Sequence, residues 1–304
     1  MTAFPPQLHV FVRDWLSANH VLLKSRDGHV LIDSGYSQRV ALTLELLATP
    51  RGLGDEPLAK LVNTHCHSDH MGGNAAIARK YRCPIAVPEG ERPLIEAWDD
   101  RKLLLEYADQ TAERFGVDEA LFPGSAHLWG GLEWQALAAP GHDMGALVFH
   151  NPEHGILISG DALWEHGFGF VMPPEIDPAA LPATRATLDM LARLDIRVVI
   201  PGHGEPFTGV AAALDRAHKR VAAFEADTLR MVRYAMKALF VFGLLERRRM
   251  AIADIPAHLD RIGIYRDFNA RFLRLSAAHL AAWLVAELEK VGAVRREGGD
   301  VLPD

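Results

Sequence analysis

The sequence predicts an α/β protein with two β-sheets packed together and helices outside over residues 1–208, followed by a mostly helical domain over residues 209–304. Three observations predict it. Short β-branched runs and helical segments follow the order strands, helix, strand, helix, then strands, helix, strand, which is a rough internal echo. From about Thr208 the strand signals give way to long helical patterns. The charge changes at the same place, from 16 Lys and Arg against 27 Asp and Glu in residues 1–208 to 16 against 12 in residues 209–304.

Taken in order, "HVFVR", "HVLLKS" and "HVLIDSG" are short apolar runs broken by polar or Gly turns, as in a meander of strands. A helix is expected over Gln38–Ala48. "AKLVNT" then reads as a buried strand, and "GGNAAIARKY" as a helix shortly after it. The segment Pro88–Gly116 is charged and expected to be helical, covering the mouth of a site. Strands are expected at "LEWQALAA", "GALVFH" and "GILISG", a helix at Pro178–Leu194, and a strand at "RVVIPG". In the tail, helices are expected over Val210–Phe242, Ala251–Ile262 and Ser276–Val291. Helices followed by a Gly-Gly hairpin in "AVRREGGDVLPD" resemble a winged-helix module.

Composition narrows the function. Hydrophobic residues at 49% and charged residues at 23% fit an ordinary globular protein, and a net charge of −7 argues against nucleic-acid binding by the chain as a whole. Cys66 and Cys83 are the only cysteines, too few for a disulfide framework. The opening "MTAFPPQLHVFVRDW" has neither a basic start nor a sustained apolar stretch, so a cytoplasmic location is expected. The most membrane-like run, Ala238–Leu245, is far short of the roughly 20 residues a spanning helix needs. No membrane association is expected.

"LVNTHCHSDHMGG" packs His65, His67, Asp69 and His70 into the end of an apolar run. That density of ionisable side chains calls for something that holds them together, and a divalent metal does so. Three further apolar runs end in Gly and a donor: "APGHDMGA" with His142, "LISGDALW" with Asp161 and "VIPGHGEPF" with His203. A strand leading into a Gly turn delivers its next polar side chain to the sheet edge, where several such turns can converge. Seven N/O donors are too many for one four-coordinate zinc and suit two metals sharing a carboxylate. Asp33, in "VLIDSG", reads equally as a turn carboxylate or as a partner that orients a ligand histidine.

These motifs, in this order and on strand ends, resemble the metallo-β-lactamase superfamily of hydrolases over about residues 8–208. The resemblance implies an αββα sandwich with the site at one edge of the two sheets. It implies that His65, His67 and His142 hold one metal, that Asp69, His70 and His203 hold the second, and that Asp161 bridges. Two divalent ions are expected, zinc first, with manganese and iron as alternatives. Such ions would lower the pKa of a shared water towards about 7, giving a hydroxide nucleophile that Asp69 orients and whose proton it shuttles.

The expected enzyme is a metal-dependent hydrolase of an ester, thioester, lactone or phosphodiester in a small-molecule substrate. The resemblance counts against the true β-lactamases, many of which lack the bridging Asp, and the tail lacks a recognisable glutathione-clamping set. A non-haem iron oxygenase or redox protein on the same fold is the alternative, but a facial triad needs only two histidines and a carboxylate. A nucleic-acid-binding, ribonuclease-like protein is the other, resting on the winged-helix-like tail and on "ERRRM" at Glu246–Met250, which otherwise reads as a solvated helix end. Cys66 and Cys83 read as buried hydrophobes, His166 as a surface loop residue or a proton donor, and Trp164 and Phe168 as packing or a pocket wall. The tail histidines His218, His258 and His279 stand apart from any second ligand. The apolar faces of the tail helices are expected to pack on the αβ core and on a second subunit, giving a homodimer.

Overall fold

The computed structural model describes residues 4–304. It divides into two compact units, the first comprising the chain to Asp99 together with Thr111–Ala222, the second Asp100–Gln110 together with Ala223–Asp304.

The first unit holds two sheets. In one, β1 (Leu8–Phe11), β2 (His20–Leu23), β3 (His29–Ile32), β4 (Leu58–Val62), β5 (Ile85–Pro88) and β6 (Glu119–Leu121) lie in sequence order. The first three pair antiparallel and the last four parallel. In the other, β7 (Ala126–Trp129), β8 (Leu132–Ala138), β9 (Leu147–Asn151) and β10 (Ile156–Gly160) form an antiparallel meander, and β11 (Val198–Pro201) joins β10 in parallel. The helices are α1 (Val40–Ala48), α2 (Ser68–Met71), α3 (Asn74–Tyr81), α4 (Arg92–Ala97), α5 (Ala180–Leu191) and α6 (Val210–Ala226). One buried cluster draws Val21, Leu23, Ile32 and Val62 from the first sheet and Trp134, Phe149, Ile158 and Ile200 from the second, so the sheets pack face to face as the αββα sandwich expected.

Strand direction places the site. Ile32 pairs with Val62 in the parallel β3–β4 ladder, so Asp33 and Asn63–Thr64 leave the first sheet side by side. Gly160 pairs with Pro201 in the parallel β10–β11 ladder, so Asp161 and Gly202–His203 leave the second sheet side by side. The two edges are stitched together: Leu147 N donates to Thr64 O at 2.8 Å and Asn19 N to Gly202 O at 2.7 Å. Carboxyl ends of parallel strands are where open sheets place ligands, because each chain turns there and exposes side chains and backbone.

Two expectations change before the tail helices. The run Pro88–Gly116 forms only α4 and a single 3₁₀ turn at Glu106–Ala108. Leu103, Leu104 and Leu105 are all buried in succession, a spacing no helix face offers, and Trp98, Leu104 and Asp109 adopt left-handed backbone that stops helix growth. The boundary expected at Thr208 falls instead within α6, and Asp100–Gln110 joins the second unit. Arg216 and Arg220, on α6, donate to the carbonyls of Glu165 and His166, which ties that helix to the first unit.

The second unit contains α7 (Thr228–Arg247), β12 (Met250–Ala251), α8 (Ile255–Arg261), α9 (Gly263–Phe268), a π-helical turn at Asn269–Leu273, α10 (Ala277–Lys290), β13 (Val294–Glu297) and β14 (Asp300–Pro303). The single helix expected over Val210–Phe242 breaks at Asp227, whose side chain accepts from Arg230 N and caps α7. Ser276 caps α10 in the same way through His279 N. The strands form a small antiparallel sheet in the order β12–β14–β13, with Gly298–Gly299 at the hairpin. Among the described residues no helix is long and apolar enough to cross a membrane.

Candidate metal centre

Two groups of donors gather at the joined sheet edges: His65, His67 and His142, and Asp69, His70, Asp161 and His203, with the donor atoms of each group within 4.8 Å of one another. All seven residues predicted as ligands are therefore brought together. β4 delivers His65 and His67, and α2, which starts at Ser68, turns Asp69 and His70 back toward them. β10 and β11 deliver Asp161 and His203, and the turn before β9 delivers His142.

Asp161 joins the groups. Its Oδ2 lies 3.5 Å from His142 Nε2 and 3.9 Å from His203 Nε2, while its Oδ1 lies 3.3 Å from His70 Nε2. Asp69 Oδ2 accepts from His203 Nε2 at 2.9 Å. His67 Nδ1 and His142 Nε2 face each other at 2.8 Å. A second ring of partners orients these donors. His70 donates from Nδ1 to Asp33 Oδ2 at 2.8 Å, and His142 donates from Nδ1 to Phe170 O. Both rings thus turn Nε2 into the site. Asp33, left open by the sequence, is the orienting partner of His70: it also accepts from Thr64 N at 2.9 Å and Thr64 Oγ1 at 2.8 Å.

The electrostatics follow from burial and neighbours. Burial, reinforced by His70 and the other rings, holds His65 well below the usual histidine range, and burial with His142 lowers His67 to about 4. Burial also opposes charge on His70, but Asp33, Asp161 and Asp69 surround it and raise it well above the ordinary value. Against its own burial, Asp161 is held well below the carboxylate range by His203 and His70. Burial therefore works against charge on His65 and His67 in the first group, while the second pairs carboxylates with histidines.

This donor set fits divalent ions. Nε2 of His65 and Nε2 of His70 are buried without a hydrogen-bond partner, a loss of about 1–3 kcal/mol each if nothing occupied their lone pairs. Neutral imidazoles and carboxylates at this density are the donors zinc, manganese or iron takes.

Other predicted residues fall outside the two groups. Cys66 is fully buried and its thiol is raised by burial; Cys83 is buried as well. His166 has 81% of its side chain exposed, and Phe168 is core. His218 faces Asp189, His258 is buried beside Asp109 and His279 bonds Ser276. Trp164 has a role beyond packing, since its Nε1 donates to Asp161 Oδ1 at 3.1 Å. Sequence reading missed Trp15, whose ring stacks on His203 with centroids 5.3 Å apart and planes 7° apart. It missed Asn19 as well, which bonds Pro201 O and Gly204 O, and Asp143, which lies 3.5 Å from His67 Nε2. The Asp next to His142 in "PGHDMG" was the one available signal.

Residues 13–203 match the Lactamase_B family, described as the metallo-beta-lactamase superfamily. A hydroxyacylglutathione hydrolase from Idiomarina loihiensis is 27% identical over 144 residues, 47% of this chain and 45% of that protein. An acyl-coenzyme A thioesterase from Gallus gallus is 25% identical over 209 residues, 62% of this chain and 73% of that protein. The chain thus spans less than half the length of the hydroxyacylglutathione hydrolase it matches. In overall fold the chain is similar to a metallo-beta-lactamase family protein from Thermus thermophilus, with 22% identity, a TM-score of 0.56, and coverage of 99% of this chain and 100% of that one.

Proposed function

The chain belongs to the metallo-beta-lactamase superfamily of metal-dependent hydrolases, and from that premise we propose that it is a dinuclear zinc enzyme that hydrolyses a thioester. The observation that carries the dinuclear reading is Asp161, one carboxylate whose oxygens face a histidine of each donor group. Choice of the thioester, among the ester, thioester, lactone and phosphodiester bonds the sequence allows, is supported by the similarity to two proteins named for hydrolysing hydroxyacylglutathione and acyl-coenzyme A. The thiol half is not taken from either of them.

His65, His67 and His142 would hold one ion, and Asp69, His70 and His203 the other, with Asp161 shared. When bound, such ions polarise the carbonyl oxygen and acidify water. Asp33 fixes the ring of His70, and Trp164 fixes the carboxylate of Asp161. The carboxylate of Asp69, beside His203, takes the proton of the attacking water. The water oxygen bonds to the acyl carbon, the C–S bond breaks, and the proton passes from Asp69 to the departing sulfur, leaving a carboxylic acid and a thiol.

In the second unit, the order helix, strand, three helices and a hairpin, with the first strand pairing the last, supports a winged-helix-like reading. The hairpin arginines and Arg249 beside them are already matched by acids: Arg296 pairs with Glu289, Arg295 with Glu297 and Asp304, and Arg249 with Glu297 and Asp300. That leaves little unmatched charge at the hairpin for phosphates, so a role in self-association, giving a homodimer, is favoured over nucleic-acid binding. Light scattering of the intact chain tests the dimer: a monomer mass at micromolar concentration removes it.

The central experiment measures metal content without added metal and the release of thiol from acyl thioesters, against lactone, phosphodiester and β-lactam substrates. Two zinc ions per chain and thiol release, both reduced in Asp161→Ala, are the expected results. One iron per chain would favour oxygen chemistry, and wild-type rates in Asp161→Ala would end the shared-carboxylate assignment.

A further inference from the structure

We propose that Trp15 and Trp164 form an aromatic platform on the His203 side of the centre that binds an apolar, preferably aromatic, acyl group of the substrate. The proposal rests on the thioester reading and names the half of the substrate that the site selects.

Trp15 is 56% exposed although it sits against the buried ring of His203. Its ring meets Trp164 edge-on, with centroids 5.5 Å apart and planes at 73°, and Trp164 meets His203 at 5.5 Å and 80°. One indole face is therefore covered by a donor of the metal centre while much of the ring stays open to solvent. Covering an open indole contributes both burial and ring-to-ring attraction, which makes it a recognition surface when it borders a reacting centre.

Both rings sit on backbone that is held before any ligand arrives. The loop that carries Trp15 is tied to the donor loops by Ala18 N to Asp69 O at 2.9 Å, by Asn19 N to Gly202 O at 2.7 Å, and by the Asn19 side chain to Pro201 O and Gly204 O. Trp164 is held through its Nε1 on Asp161 and through Trp164 N to Gly167 O at 2.7 Å. A platform fixed in advance loses little entropy on binding.

Proximity decides which part of the substrate it meets. A group resting on Trp15 or Trp164 lies beside the ring of His203, whose centroid is 5.3 Å from one and 5.5 Å from the other. Only atoms a few bonds from the scissile carbon reach there, so the occupant is the acyl group and not the far end of a thiol carrier.

Calorimetry of the zinc-loaded protein with phenylacetate and with acetate tests this, because both probes carry the same carboxylate and only one carries a ring. Wild type should prefer phenylacetate by about tenfold. Trp15→Ala should erase that preference and Trp15→Phe should restore part of it, with zinc content and acetate affinity unchanged. Retained preference in Trp15→Ala, or loss of zinc from it, overturns the proposal. A kinetic comparison of phenylacetyl with acetyl thioesters separates the two readings. If neither thioester is cleaved while the calorimetric preference persists and depends on Trp15, the platform stands and the thioester reading falls. If thioesters are cleaved with the same phenylacetyl-to-acetyl ratio in wild type and Trp15→Ala, the thioester reading stands and the platform falls.

Discussion

Asp33 Oδ2 and His70 Nδ1 lie 2.8 Å apart, with both side chains buried and with the other oxygen of Asp33 accepting from Thr64 N. This bond fixes which nitrogen of His70 carries the proton and points the other at Asp161. Asp33→Asn keeps the shape but offers an amide that cannot serve both as acceptor for Thr64 and as a charged partner for the ring. Metal affinity should fall about 10- to 100-fold with the fold retained, as measured by chelator competition and circular dichroism. Unchanged affinity would reduce Asp33 to a turn residue.

Gly202 and Gly204 flank His203 and should respond very differently to alanine. A Cβ at Gly202 would lie 2.2 Å from Asp161 Oδ1 and 2.9 Å from His70 Cε1, so it displaces two donors at once. At Gly204 a Cβ meets nothing within 4 Å, although the backbone there is left-handed with φ +88°. Gly202→Ala should lose metal and activity, whereas Gly204→Ala should cost about 1 kcal/mol of stability and keep both. Equal metal content in the two variants would contradict the packing of Asp161 against this turn.

The contrast between these glycines shows where sequence reading works. The donors were legible because they cluster just beyond apolar runs, four of them after β4 and three, His142, Asp161 and His203, directly after a Gly. Eight strands of the two sheets were legible from their apolar runs, as the β10 segment Ile156–Gly160 is, whereas β5, β6 and β7 were not read as strands. Trp15, Asn19 and Asp143 act through partners far away in sequence, and of the three only Asp143, directly after His142, has a local mark. The tail boundary failed for a related reason: α6 looks like the helices after it, and contacts distant in sequence, such as Arg216 and Arg220 reaching back to Glu165 and His166, assign it to the first unit. The break at Asp227 could have been read from Asp-Thr, a cap signal inside a helical pattern.

In the second unit, Asp109 accepts from Arg247 Nη2 at 2.6 Å and lies 3.3 Å from His258 Nε2. Burial alone would raise its carboxyl, but His258 and Arg247 outweigh burial and lower it. A folded pKa below the unfolded one means that the unfolded chain takes up the proton first as pH falls. The stabilisation is therefore fully present above the unfolded value, about 4, and is lost as pH drops through the folded value. Urea denaturation should show Asp109→Asn less stable by about 2 kcal/mol at neutral pH. The gap should shrink in strong acid. A gap that stays constant with pH would show that the charge of Asp109 is not what stabilises the unit.

The last prediction concerns α6 and the loop it holds. Arg216 donates to Glu165 O at 2.9 Å from Nε, Arg220 donates to His166 O at 2.7 Å, and the Arg220 guanidinium also lies 5.6 Å from the centre of the Phe168 ring. Gly167 has φ +138°, and a Cβ there would meet Arg220 Nη1 at 2.3 Å, so the loop closes tightly on this side chain. That loop follows Asp161 and carries Trp164, whose Nε1 holds the carboxylate. Replacing both arginines by alanine removes the clamp without touching any donor. Zinc content should stay near wild type, amide exchange across residues 164–169 should speed up, and turnover should fall several-fold because the Asp161 carboxylate is held less firmly. A chain cut after Thr208 should show the same loosening, because it lacks both arginines. Wild-type exchange in the double variant would mean that Trp164 and Asp161 hold the loop by themselves, and α6 would then have no part in the chemistry.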